Sequence, residues 1–165
     1  MPVEDMRALL VTCLQDLSEG ERLTSMHIGH VADAATSEDL QSFLRDQGSK
    51  CNSRSEKLDD LGAAIGVSTN GQDNIWMKGM FDDVFRDMKT IRGGCLLDIA
   101  VIGAVRKMNS AASVSYETAV VVANELGMEP CAAVFGECRD DAAEADRRLR
   151  EILLKMPKPG ASSVG

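Results

Sequence analysis

The sequence predicts an all-α fold, a four-helix bundle with one long crossover, and three observations carry that prediction. Aromatic residues make up only 4% of the 165 residues, while Ala, Leu, Val and nine Met supply the apolar mass, so runs of strand type are scarce. Four long segments place apolar residues three and four positions apart, the spacing that keeps side chains on one helical face. Breaker clusters separate the segments at Gly66-Val67-Ser68-Thr69-Asn70-Gly71-Gln72, at Gly93-Gly94 and at Gly127.

The first helix is expected to begin at Pro2 and to run to about Ala35, with Met6, Leu10, Cys13, Leu14, Leu17, Thr24, Ile28 and Val31 on its stripe. Glu21 falls inside that stripe. The second opens at Thr36-Ser37-Glu38-Asp39, a capping sequence with acids near the positive helix end, and carries Leu40, Leu44, Gln47, Cys51, Ser55, Leu58, Leu61 and Ile65. Its middle is polar where its ends are apolar. A short amphipathic piece, Ile75 to Met88, lies between the first two breakers. The third long helix spans about Cys95 to Leu126, and Gly127 stops it as glycine does past a helix C-terminus. The fourth starts near Pro130 and keeps Cys131, Phe135, Cys138, Ala142, Ala145, Leu149, Ile152 and Met156 in unbroken three-four spacing. Residues 1–156 are therefore expected to form the bundle, and residues 157–165 a flexible C-terminal tail. Short joins make each sequential pair antiparallel, and the connection from 66 to 94 is long enough to travel the bundle, which is the topology of ferritin-like folds.

Composition narrows the function classes. A net charge of -8 is the wrong sign for neutralising phosphates or anionic lipid heads, so neither nucleic acid nor membrane is an expected partner. No apolar run approaches the roughly 18 to 20 residues that a spanning helix needs. The acidic N-terminal sequence lacks a secretory pattern, which points to the cytoplasm. Five cysteines without a Cys-x-x-Cys pair (Cys13, Cys51, Cys95, Cys131, Cys138) read as reduced core thiols.

Residues 17–153 resemble the ferritin-like family of bacterial YciE/YciF-type proteins, which are associated with stress responses. The resemblance rests on Leu17-Ser18-Glu19-Gly20-Glu21-Arg22-Leu23 leading to Ala34-Ala35-Thr36-Ser37, and on Leu58-Asp59-Asp60-Leu61 leading to Ile65-Gly66. Met77-Lys78-Gly79-Met80, Asp98-Ile99-Ala100, and Tyr116-Glu117-Thr118-Ala119 through Leu126-Gly127 complete it. It implies a ferritin-like bundle and a place in stress adaptation.

Many members of the wider ferritin-like class resemble di-metal proteins, in which Glu residues and Glu-x-x-His pairs converge mid-bundle. Helix one here keeps Glu21, but helix two offers Gln47, Cys51, Asn52 and Ser55. Helix three has Asn109 and Ala112 where the family commonly has Glu-x-x-Glu, and helix four has Ala142 and Ala145 where it commonly has an acid and a His or other polar residue. Glu21, Asn109, Ala112, Ala142 and Ala145 therefore read as a remnant centre without metal or other cofactor, and the protein as a structural or interaction protein. The alternative is a di-iron or di-manganese oxidase or an iron-binding protein, and a third possibility is a thiol-based peroxide sensor. No catalytic constellation is recognisable.

His27 and His30, followed by Asp33, have a helical spacing that can bind metal, but they fall at the edge of the stripe and away from it. Trp76, Met77, Met80, Phe81, Val84, Phe85 and Met88 form a face that docks on the bundle or, if chains associate, joins a homodimer or another protein partner. A lone ionised Glu21 in a bundle core requires a partner. Asn109, Tyr116 and Ser55 are the neutral candidates, favoured over Arg54 swinging in from the edge of helix two, so Glu21→Gln is expected to be neutral or stabilising.

Overall fold

Asp5, rather than Pro2, opens the first helix: its Oδ1 accepts from Ala8 N at 2.7 Å and satisfies a backbone donor that the first turn leaves unpaired. The computed structural model describes residues 2–157, with α1 (Met6–Ala34), α2 (Glu38–Ile65), α3 (Ile75–Thr90), α4 (Cys95–Glu125) and α5 (Glu129–Lys155). Among the described residues there is no strand. The expected tail lies outside the described residues except for Pro157, whose carbonyl accepts from the Cys95 thiol at 2.8 Å.

The other boundaries follow the sequence signals. Ser37 caps α2 by accepting from Leu40 N, and Gly66, at φ 75°, supplies the left-handed turn that ends it. Asn74 caps α3 by accepting from Met77 N at 2.8 Å. Gly127, at φ 66°, follows the end of α4, and Pro130 lies in the first turn of α5, where its missing N–H costs nothing.

α1 and α2 form one antiparallel hairpin and α4 and α5 another. The two hairpins meet through α1 against α4 and α2 against α5, while α3 lies along α1 and α4. Asp98, in the first turn of α4, accepts from Thr36 N (2.9 Å), Thr36 Oγ1 (2.8 Å) and Ser37 N (2.9 Å) in the α1–α2 turn. α4 therefore starts at the end of the bundle where α2 starts, and the connection between α2 and α4, with α3 as its second part, must carry the chain there from the far end.

That climb begins beside Gly20. The Asn74 amide donates to Asp16 O at 2.8 Å and the Trp76 indole donates to Asp16 Oδ2 at 3.0 Å, while a Cβ on Gly20 would lie 2.8 Å from Asn74 Nδ2. Glycine lets α3 approach α1 this closely, because a Cβ here would push against the Asn74 amide that caps α3. Gln15 Nε2 donates to Ser68 O and Asn70 O, which ties the preceding loop to α1 as well. Further along, Phe81 is 2% exposed and belongs to the core, and Phe85 packs on His27 and His30. The apolar face of the crossover is thus docked on its own bundle.

The core divides into two apolar halves. One half gathers Leu10, Leu14, Leu58, Tyr116 and Phe135, and the other Ile28, Val31, Leu44, Ile102 and Leu149. Burying each such side chain contributes about 1.5–3 kcal/mol. A layer of polar groups separates the two halves.

Candidate functional site

The polar layer is built where the stripes of α1, α2 and α4 turn from apolar to polar in the same cross-section. Glu21, Gln47, Arg54, Ser55 and Asn109 are all buried in it. Glu21 Oε1 accepts from Arg54 Nε at 2.8 Å and from the Tyr116 hydroxyl at 2.6 Å. Arg54 Nη2 donates to Cys51 Sγ at 3.1 Å, and Nη1 lies 3.7 Å from Oδ2 of the exposed Asp141 on α5. Gln47 Nε2 donates to Asn109 Oδ1 at 3.0 Å and bridges α2 to α4.

The expectation of a neutral setting for Glu21 is therefore corrected. Tyr116 is a partner, as expected, but Asn109 is bonded to Gln47, and Arg54 lies inside the layer with only 7% exposure. An arginine is buried here because the Glu21 carboxylate, itself anchored by the Tyr116 hydroxyl, and the Cys51 thiol offer it acceptors at one depth. The expected inward Asn52 is exposed and donates to Glu56.

The layer also sets its proton inventory. Burial works against the Arg54 charge, but Glu21 beside it prevails and raises the guanidinium above its ordinary value. Burial first, then the Glu21 charge, push the Cys51 thiol and the Tyr116 hydroxyl well above their ordinary values. The same two causes raise Cys138 to about 11. Thiol reactivity needs a thiolate, so the layer holds both cysteines in their unreactive form at neutral pH. All five cysteines are free thiols.

Of the remnant-centre residues, Glu21, Asn109, Ala112 and Ala142 line one cavity of about 30 Å³. Ala145 is separate from it and lines a neighbouring cavity of about 40 Å³ between α2 and α5, which shares Gln47 and Arg54 with the first. Two divalent cations would require several anionic oxygens at this depth. The layer offers one carboxylate, already engaged by a guanidinium and a hydroxyl, so its donor set does not fit such a pair.

The other sequence candidates are not brought together. His27 lies 5.2 Å from the Phe81 ring centre and His30 lies 5.8 Å from that of Phe85, so both imidazoles pack on α3, while Asp33 pairs with Arg45 at 2.7 Å. Among the described residues, no group of three His, Cys, Asp or Glu is placed to hold a metal ion. A larger open cleft of about 810 Å³, between the starts of α2 and α4 and the end of α5, includes Asp98, whose oxygens are taken by Thr36 and Ser37. No helix among the described residues is long and apolar enough to cross a membrane.

The sequence places Arg54 at the edge of helix two, as the less favoured partner of Glu21, and gives no sign of the Gln47 to Asn109 bridge. The available signal for an inward Arg54 is the polar middle of α2 itself, where Gln47, Cys51 and Arg54 are spaced four and three residues apart on one face.

A bundle of two helical hairpins joined by a long crossover, crossed at mid-height by residues from three of its helices, defines a ferritin-like all-α protein. The chain belongs to the family described as Domain of unknown function (DUF892), whose model matches residues 5–158. No curated protein matches it in sequence. The fold is similar to that of the Escherichia coli stress protein YciF, with a TM-score of 0.87 at 17% identity over 92% of this chain and 96% of that one. It is also similar to YcfI from Rhodopseudomonas palustris, with a TM-score of 0.86 at 20% identity over 90% and 94% of the two chains. Dps from Thermosynechococcus elongatus shares the architecture at a TM-score of 0.70 and 12% identity over 97% of each chain.

Proposed function

We propose that this chain is a structural or interaction protein built on a ferritin-like bundle whose metal centre is degenerate, with Arg54 supplying the buried positive charge that a cation would otherwise supply. The observation that carries this reading is that Glu21 Oε1 is held by two side chains of the protein itself, Arg54 and Tyr116. Glu21, Asn109, Ala112, Ala142 and Ala145 are then the remnant of the centre, with apolar or amide groups at the other ligand positions.

The likeness to a stress protein and to a protein proposed to be structural supports a place in stress adaptation. On this reading the chain works in the cytoplasm and associates as a homodimer. Its partner-facing surface lies elsewhere than Phe81 and Phe85, which are engaged within the chain. A sedimentation mass near 17.8 kDa in dilute buffer would remove the dimer from the proposal.

Metal analysis of protein purified without chelator tests the main reading. The expected result is far less than one equivalent of iron or manganese per chain, with a melting temperature that chelator leaves unchanged. About two equivalents per chain would overturn it in favour of the di-iron or di-manganese alternative.

A further inference from the structure

We propose that the polar layer contains a binding site for a single water molecule, held between the side-chain amides of Gln47 and Asn109. One amide bond joins these residues, Gln47 Nε2 to Asn109 Oδ1 at 3.0 Å, and it leaves the other atom of each amide, Gln47 Oε1 and Asn109 Nδ2, buried without a hydrogen-bond partner. Both residues are only 6% exposed. Exchanging the oxygen and nitrogen of both amides reverses the bond but again leaves one acceptor and one donor free, so the requirement does not depend on how the amides are oriented.

A ligand for these two atoms must donate to one and accept from the other, and it must be very small. Both amides line the cavity of about 30 Å³ that Glu21, Ala112 and Ala142 also border. A cavity of that kind exceeds the roughly 10–15 Å³ that one water needs, and it offers the two or more polar partners that distinguish a hydrated cavity from an empty apolar one. It is too small for a carboxylic acid, an amino acid or a sugar. The small side chains of Ala112 and Ala142 leave this space open, and Gln47 and Arg54 also line the neighbouring cavity between α2 and α5. Among the described residues, Ser18 Oγ is also buried without a hydrogen-bond partner, but it does not border the same cavity and takes no part in the site.

The site does not rest on the reading of the layer as a former metal centre, because its two atoms are amide groups that the ion pair does not use. Two measurements on the unaltered protein test it. In water-selective Overhauser spectra of the isotope-labelled chain, the side-chain amide protons of Asn109 or Gln47 should show a cross-peak to water with the sign of a long-lived complex. A crystal structure at about 1.5 Å should show one density peak within hydrogen-bonding distance of both amides. Resolved amide resonances without that cross-peak, or a cavity without density between well-ordered amides, would overturn the proposal. So would a crystal structure in which both amides are fully bonded to protein groups.

Discussion

Asp98 is 2% exposed and accepts from Thr36 N, Thr36 Oγ1 and Ser37 N, whereas Glu21, 7% exposed, has one oxygen held between the Arg54 guanidinium and the Tyr116 hydroxyl. Both carboxylates lose water on folding, and both must be compensated for it. Asp98 is satisfied by neutral donors, two of them backbone N–H groups, and it lies in the first turn of α4, where the helix end favours negative charge. Glu21 is mid-helix, far from any free backbone donor, and is satisfied only by side chains. The partners of Glu21 can therefore be exchanged as a set by changes in sequence, whereas two of the three donors to Asp98 cannot, because every residue at 36 and 37 other than proline brings the same N–H.

The largest test of this contrast is Arg54→Met. It strands a buried carboxylate and should destabilise the bundle by about 3–5 kcal/mol in urea unfolding, with Glu21→Gln shifting the midpoint in the same direction by stranding the guanidinium. A loss below about 1 kcal/mol for both would show that the pair is not energetically coupled. Asp98→Ala comes next: it leaves two N–H groups of the α1–α2 turn unpaired and should cost about 3 kcal/mol, with Asp98→Asn retaining part of that. A smaller effect follows from removing the whole Glu21 set. Glu21→Met combined with Arg54→Met should recover most of the stability that Arg54→Met loses, because no buried charge remains, although the Tyr116 hydroxyl is left without its partner. A double variant as unstable as Arg54→Met alone would break the contrast with Asp98.

The layer also contributes to the pH dependence of stability through Cys138. Burial and the Glu21 charge raise Cys138 from 9.0 to about 11, so the folded state prefers the protonated thiol. Its stabilising contribution is complete below pH 9.0 and is lost as the pH rises to about 11, where the unfolded chain has already released the proton. Cys138→Ala should flatten the fall of the urea midpoint across that window, and an unchanged slope would assign the fall to other groups.

How much of this was legible follows the same division. Helix spans, the crossover and the Gly66 and Gly127 stops are written locally, in spacing and turn chemistry, and they stand within a few residues of their expected places. The start of α1 differs from its expected place because Pro2 and Asp5 both suit a helix opening, and Asp5 is the one that caps a first-turn N–H. The sequence places Arg54 at an edge because a charged side chain is a poor core candidate until its partner is known, and that partner lies 33 positions away on another helix. The Gln47 to Asn109 bridge spans 62 positions, and the bonds from Thr36 to Asp98 span the same distance. Helical periodicity gives no information about which residues of different helices meet at one height.

The Asn74 staple beside Gly20 bears on the order in which the chain assembles. The entropy of closing a loop rises only as the logarithm of its length, but a bundle with a long crossover still has to find its second hairpin without an intervening guide. Fastening the start of α3 to the backbone of Asp16 divides that search in two. α1, α2 and α3 can join first through a short loop, and α4 then starts from a point already carried to the correct end of the hairpin. On this view Asn74→Ala should slow refolding in stopped-flow mixing. A variant that refolds at the parent rate and only unfolds faster would place the staple after the rate-limiting step.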